Sequence, residues 1–151
     1  MFLLDLFKKP GLCNAEYYMK YLQKKKIRYT WDKKHLSVDT LFEFSSGRSL
    51  SISAMFRDYG KGKAAVDFVI FDLAKVSSNY DEACRKVAEL NRDSMFAKYY
   101  LTDDDHSVME AEMEFAMPKG NFGSVCYESL FAFLGEIRSL AKNDSVRIQW
   151  E

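Results

Sequence analysis

The stretch "ELNRDSMFAKYYLTDDDHSVMEAEMEF", positions 89–115, decides the fold of this chain. It starts as the end of a helical pattern, continues through a short apolar segment and reverses at three consecutive aspartates. After the reversal, residues 109–115 alternate between apolar and acidic side chains, which is the period of a strand with one buried and one wet face. The stretch therefore predicts a helix followed by two antiparallel strands.

Four more strands are predicted upstream of this stretch. They are "IRYTW", "LSVDTLFEF", "SLSISAMF" and "AAVDFVIFDL", and the breaks between them are "DKKH", "SSGR" and "RDYGKGK". Because such short, turn-rich breaks let neighbouring strands pair directly, the segments predict an antiparallel meander. The last strand is apolar on both faces, which indicates a central strand or one with a helix across its second face.

Three helices complete the pattern. Asn14 is predicted to cap a first helix that ends near Lys26, and Asn79 with Glu82 has capping-box spacing at the start of a second. A long closing helix has an apolar stripe formed by Cys126, Leu130, Phe133, Ile137 and Ala141. The order predicts an α+β fold of two layers, an antiparallel sheet flanked by helices, in one domain over residues 1–151 with its core at about 14–141.

Composition restricts the possible partners and the compartment. Lys plus Arg and Asp plus Glu both number 22, so the net charge gives no reason to expect nucleic acid or an anionic membrane as partner. The three cysteines are far apart and lack metal-ligand spacing, which is typical of a reducing cytoplasm. "MFLLDLF" lacks the features of a secretory signal, and no later apolar run approaches the ~20 residues of a membrane span. We expect a cytoplasmic protein without cofactor.

The carboxylates of the opening stretch are its candidate chemistry. Glu110, Glu112 and Glu114 share one face of a strand, and Asp103 to Asp105 form the preceding turn. Such a set could bind a metal ion or act in acid–base catalysis if another strand brought His or Asp opposite to it. A solvated strand face and a hairpin turn explain the same pattern, and we favour them.

No other motif indicates an enzyme. "YGKGKA" lacks the spacing of a phosphate-binding loop and predicts a hairpin tip, and His35 and His106 both lie in predicted turns without a nucleophile beside them. The basic cluster at Lys24 to Lys26 predicts a solvated helix end, although Tyr29 and Trp31 nearby offer stacking surfaces for RNA or an acidic partner. We therefore predict a protein that is not an enzyme.

The chain contains twelve Phe and seven Met, more than we expect for residues scattered singly over a surface. Such side chains form adaptable apolar surfaces for protein partners, although they also fill cores. The sequence therefore predicts a protein-interaction module that acts as a regulator or a chaperone. Its candidate partner-binding residues are Tyr29, Trp31, Met109, Met113 and Phe115.

Residues 88–115, "AELNRDSMFAKYYLTDDDHSVMEAEMEF", resemble the central signature of the bacterial YbjN-like family. The resemblance extends over about residues 14–141 as an order of elements. It implies a fold similar to that of type III secretion chaperones, a regulatory or chaperone-like role, and no catalytic residues. It also implies a homodimer, with a mass near 35 kDa, formed through a sheet edge or a helix. If the long strand after the turn lies at an edge, its glutamates would repel those of the second copy. We then expect the side with Met109, Met113 and Phe115 to be buried in the dimer.

Asn91 is the one polar residue of the stretch with a specific structural prediction. At the end of a helix it can adopt the left-handed conformation or hydrogen-bond to the backbone of the next strand. We expect one of these structural roles.

Overall fold

The computed structural model describes residues 3–44, 49–118 and 122–141. After a short 3₁₀ helix over Leu3–Phe7, these ranges contain three α-helices and six β-strands. The helices are α1 (Pro10–Lys24), α2 (Tyr80–Asp93) and α3 (Phe122–Ala141). The strands are β1 (Tyr29–Asp32), β2 (Ser37–Glu43), β3 (Ser49–Gly60), β4 (Lys63–Lys75), β5 (Lys98–Leu101) and β6 (Val108–Pro118). The predicted break "SSGR" and the tail after residue 141 lie outside the described residues.

The six strands form one antiparallel sheet in the order β1-β2-β3-β4-β6-β5. The first four strands pair in sequence order, as the short breaks predict. β6 then pairs with β4 on one side and with β5 on the other. The predicted α+β fold is therefore confirmed. β6 is not an outer strand over its first half, because β5 lies beyond it.

All three helices pack against one face of this sheet. Their buried side chains form a single cluster with the inward side chains of the strands. Tyr18 of α1 contacts the rings of Phe56 on β3 and Phe68 on β4, with centroids 5.7 and 6.1 Å away. The predicted stripe of α3 is buried at Cys126, Leu130, Phe133 and Ile137, whereas the side chain of Ala141 lies outside the described ones. The opposite face of the sheet, called the open face below, is covered by no helix within the described ranges.

The start of α1 differs from the prediction. The helix begins at Pro10, which suits a first helical position because its fixed φ and missing N–H cost nothing there. The Gly11 N–H donates to the Asp58 carboxylate of β3, so a distant strand provides the acceptor that a local N-cap would provide. Asn14 lies inside the helix and is fully buried, with no partner for its amide among the described residues. The predicted Asn14 cap is wrong because the real cap is a tertiary contact.

β4 is the central strand that its two apolar faces predict. Val66, Phe68 and Ile70 point into the helix layer, while Ala65 and Val69 on the open face are also buried. No helix of the described ranges covers this second face. Side chains of the adjacent strands β3 and β6 shield it, so flanking strands produce the burial that a second helix layer would otherwise provide.

A two-residue turn joins β3 to β4 where the sequence predicts a hairpin tip. Gly60, Lys61 and Gly62 all have positive φ, at 75°, 51° and 71°. Glycine adopts this region without strain, which explains why two glycines flank Lys61. The "YGKGKA" segment is therefore a tight turn between paired strands.

Asparagine side chains make specific contacts near both ends of α2. Asn79 is the predicted N-cap, and its Oδ1 accepts the Glu82 N–H at 3.1 Å. Near the other end, Asn91 Nδ2 donates to the Tyr99 carbonyl at 2.8 Å and Asn91 Oδ1 accepts the Tyr99 N–H at 2.7 Å. The predicted bond to the next strand is confirmed. Because Asn91 satisfies both backbone groups of Tyr99, it closes the outer edge of β5 at this residue.

Two glycines of α3 provide a matched test of the contact between α1 and α3. A Cβ on Gly123 would lie 2.5 Å from the Tyr17 carbonyl oxygen, whereas a Cβ on Gly135 would meet nothing within 4 Å. We expect Gly123→Ala to lower the free energy of unfolding by about 2 kcal/mol, because the helices must separate. Gly135→Ala should raise it by ~0.5–1 kcal/mol through helix propensity. Urea unfolding measures both; equal effects would contradict the close approach.

The Asn91 contact also has a measurable consequence. We expect Asn91→Ala to lower the free energy of unfolding by about 1–2 kcal/mol, because two hydrogen bonds are lost. The Tyr99 amide should then exchange faster with deuterated water. Glu89→Ala, on the exposed side of α2, is the control and should change stability by less than about 0.5 kcal/mol. Unchanged exchange at Tyr99 would rule out the role assigned to Asn91.

Candidate functional site

The three glutamates of β6 form one row on the open face, as the alternation predicts. Glu110 and Glu112 are half-buried and Glu114 is exposed. On the neighbouring strand β5, Tyr100 lies opposite Glu110 and Lys98 lies opposite Glu112. Glu110 and Glu112 therefore have neighbours on β5. Glu114 has none, because the pairing of β5 with β6 ends at the Lys98–Glu112 pair.

A fourth carboxylate joins the row from the central strand. Asp67 of β4 lies opposite Glu114 and is almost fully buried. Its Oδ2 accepts a hydrogen bond from Arg57 Nη2 of β3 at 2.7 Å, and the same nitrogen is 3.9 Å from Glu114 Oε1. The structure thus brings an aspartate opposite the glutamates, which is the arrangement that an acidic functional site requires. Arg57 places a positive charge inside it.

Burial and a neighbouring carboxyl change the protonation of Asp67. Burial, followed by the charge of Glu112, raises the pKa of Asp67 to about 7 despite the opposing effect of Arg57. Asp67 Oδ1 has no donor among the described residues. Burial and the nearby negative charge both favour the protonated, neutral form of Asp67 near neutral pH.

The β5 end of the row is also perturbed. Burial, and then the charge of Glu112, raises the pKa of Tyr100 above its ordinary value. Burial raises the pKa of Glu110, with a further contribution from the charge of Asp72. Carboxylates therefore outnumber cations along this part of the open face.

The Asp103 to Asp105 segment is the predicted hairpin turn. Thr102 Oγ1 donates to the Asp105 carbonyl at 2.5 Å, and Asp105 Oδ1 accepts the Ser107 N–H at 2.9 Å and the Ser107 hydroxyl at 2.6 Å. These bonds from Ser107 lower the pKa of Asp105. Within the described ranges, no three His, Cys, Asp or Glu side chains are placed to hold a metal ion. The turn is therefore organised by its own hydroxyls.

The two histidines occupy the predicted turns. His35 Nδ1 lies 2.6 Å from Asp32 Oδ2 in the turn after β1, and the ring of His106 packs on Tyr80 with centroids 4.9 Å apart. In the basic cluster, Lys24 and Lys25 lie over the aromatic rings of Tyr21 and Tyr127. The lysines at the end of α1 thus have aromatic partners inside the chain.

The predicted partner-binding residues occupy different environments. Met109 is fully buried in the core and offers no surface, which corrects its assignment as a contact residue. Tyr29, Trp31, Met113 and Phe115 are half-buried and pack against the core cluster. Tyr29 and Trp31 lie on the outer strand β1, whereas Met113 and Phe115 line a groove of about 540 Å³ at the end of β6. The structure thus separates these residues into two ends of the sheet.

Sequence reasoning did not identify Asp67 or Arg57 as part of this site. The available signal was a carboxylate within the apolar run "AAVDFVIFDL" of a strand predicted to be central, where a charge needs a partner. Identification of that partner as Arg57 requires the β3–β4 register. The site is therefore a product of strand pairing.

Comparison with known proteins assigns the chain to a family. A family model described as "YbjN: Putative bacterial sensory transduction regulator" matches residues 44–127, more than half of the sequence. The chain belongs to the YbjN family. The matched range contains the acidic row together with Arg57 and Asp67, so the candidate site lies within the part of the chain that the family model matches.

A solved structure supports the same fold. "Crystal structure of YbjN, a putative transcription regulator from E. coli" is similar to this chain with a TM-score of 0.54 and 6% identity, over 89% of this chain and 93% of that one. At this identity the likeness shows a shared fold. A search of curated protein sequences finds no match. Among the described parts of this YbjN-family chain, no helix combines the length and the apolarity needed to cross a membrane.

The protonation of Asp67 predicts a pH dependence of stability. Its pKa is 3.8 in an ordinary aspartate and about 7 here, so between these values the folded protein holds a proton that the unfolded chain has released. The contribution to stability is complete below about pH 4 and is lost as the pH rises towards 7. Relative to Asp67→Asn, the wild-type free energy of unfolding should fall by at least ~1 kcal/mol from pH 5 to 8.

Glu112→Gln provides a second arm for this test. It removes a neighbouring negative charge, so the pKa of Asp67 should fall towards its ordinary value. The free energy of unfolding should then fall less between pH 5 and pH 8 than it does in wild type. Urea unfolding at both pH values measures all three proteins. Parallel profiles for wild type and Asp67→Asn would show that Asp67 titrates as an ordinary aspartate.

Proposed function

We propose that this YbjN-family chain is a cytoplasmic regulator of one domain that acts by binding a protein partner and catalyses no reaction. The family description supports the regulatory part of this proposal. The three cysteines are free thiols, which suits a reducing compartment. A chaperone-like role, which the sequence resemblance to the YbjN-like family also implies, is one form of the same proposal.

The observation that carries the proposal is the one-sided architecture of the sheet. Helices cover one face, and the open face has exposed side chains such as Leu41 of β2, 62% exposed, beside the polar Ser51 of β3. Apolar contacts within a polar and charged surface are typical of non-obligate protein interfaces. A sheet face with this composition therefore favours a transient partner.

The alternative of a carboxylate metal site or an enzyme has less support. Asp67, Glu112 and Glu114 do approach one another, but the Arg57 guanidinium is bonded at 2.7 Å to the most buried of them. A cation at that position competes with a metal ion for the same oxygens. We therefore do not assign the acidic row to catalysis.

Self-association is a second part of the proposal. The outer strand β1 has backbone groups that no described strand pairs on its far side, and Tyr29 and Trp31 lie beside them. A homodimer through this edge would have a mass of about 35 kDa, against 17.6 kDa for one chain. Light scattering distinguishes the two masses.

Site-specific photocrosslinking tests the partner-binding function. A photoreactive amino acid at Leu41 or Ser51 on the open face should give an adduct of discrete mass in the bacterium that expresses the protein. The same amino acid at Arg85 or Glu89, on the exposed side of α2, is the control and should give none. Adducts only from α2 would place the partner on the helix layer, and adducts from no position would contradict the proposal.

A further inference from the structure

β6 extends beyond the strand that pairs with it. β5 contacts β6 only from the Lys98–Glu112 pair to the Leu101–Met109 pair, whereas β6 continues to Pro118. Residues 113–118 remain paired with β4 on their other side. On the β5 side, none of the described strands meets them. Among the described residues, the result is an unpaired strand edge roughly 20 Å long, called the open edge below.

The backbone groups along this edge have a definite direction. The Thr102 N–H donates to the Val108 carbonyl at 3.0 Å, so Val108 directs its backbone groups towards the β5 side. Because this direction alternates along a strand, Glu110 and Glu112 do the same, and Glu114 and Ala116 direct theirs to the open edge. Such a row is a template for an added strand.

The groove beside the edge has room for such a strand. It measures about 540 Å³ and is bordered by Tyr59, Phe96, Lys98, Tyr100 and residues 112–116 of β6. Tyr59 and Phe96 are 66% and 50% exposed. Aromatic side chains with this exposure provide apolar contacts to a bound chain in addition to backbone hydrogen bonds.

Charge indicates the chemistry of the occupant. Arg57 Nη2 is 2.7 Å from the Asp67 carboxylate but 3.9 Å from that of Glu114, so Arg57 neutralises the charge of Glu114 only weakly. A Lys or Arg placed opposite Glu114 would form a favourable cross-strand pair. A second copy of this chain would instead bring its own Glu112 and Glu114 onto the same face, where like charges oppose pairing.

We propose that residues 113–118 of β6 bind an extended segment of a partner protein by strand addition, and that this segment alternates Lys or Arg with apolar residues. The basic side chains lie on the open face with Glu112 and Glu114, and the apolar ones lie on the side of Met113 and Phe115. The proposal rests on the proposed function, binding of a protein partner, and specifies where and what the chain binds.

A synthetic peptide of eight residues that alternates Lys and Val is the probe. Titrated into the isotope-labelled full chain, it should shift the amide resonances of Glu114 and Ala116 most and slow their hydrogen exchange. Binding should weaken as salt rises. A peptide that alternates Glu and Val, and a Lys–Val peptide with a central proline, should bind at least about tenfold more weakly.

Matched variants distinguish the edge from the fold. Ala116→Pro removes one N–H at an open edge, where proline is tolerated, and should weaken binding about tenfold or more. Ala116→Val retains the N–H and should bind like wild type. Glu114→Lys should also abolish binding, while Glu110→Lys, the same charge change beside β5, should affect it much less.

Two outcomes would overturn the proposal. Equal peptide affinity for wild type and Ala116→Pro would exclude strand addition at this edge. A dimer in light scattering that Ala116→Pro converts to a monomer would show that a second copy occupies the edge. Photocrosslinks from Leu41 and Ser51 do not depend on the edge of residues 113–118. If they form while the peptide fails to bind this edge, strand addition is wrong and the proposed partner-binding function still stands.

Discussion

The β5 end of this sheet is fixed to the helix layer by the hydrogen bonds between the Asn91 side chain and the backbone of Tyr99. Asn91 extends from α2 and satisfies the N–H and C=O that Tyr99 directs away from β6. Glu136 of α3 accepts the N–H of Phe96 at 2.9 Å, which holds the residues before β5 in the helix layer. Because the chain enters β5 from that layer, β5 pairs with only the first part of β6.

These contacts connect local structure to the proposed function. One strand edge is closed by an asparagine, and on the adjacent edge of β6 no described strand pairs with the backbone donors and acceptors of residues 113–118. Natural proteins usually protect such edges with charges, bulges or short strands. The edge of residues 113–118 lies next to an acidic face and exposed aromatic rings, and this combination is the basis of the binding proposal.

The central strand imposes a second constraint. Asp67 occupies a nearly buried position on β4, where an unpaired carboxylate would be costly. Arg57 from β3 donates to it, and the charge of Glu112 from β6 raises its pKa, so the protonation of Asp67 depends on both neighbouring strands. A change in the pairing of these strands would alter the protonation of this face, which couples its electrostatics to its architecture.

Local patterns in the sequence determined the helices, the strands and the faces of the strands. Alternation assigned Glu110, Glu112 and Glu114 to one side of β6, and capping chemistry located Asn79. A bond to the next strand was one of the two roles expected of Asn91. Each of these inferences depends on residues close in the chain. Tertiary structure alone decided that Asp58 caps α1, that Met109 is core, that Arg57 meets Asp67 and that β5 ends before β6 does. These features depend on register and on side chains that converge from distant segments, and a one-dimensional pattern carries no information about which strands become neighbours.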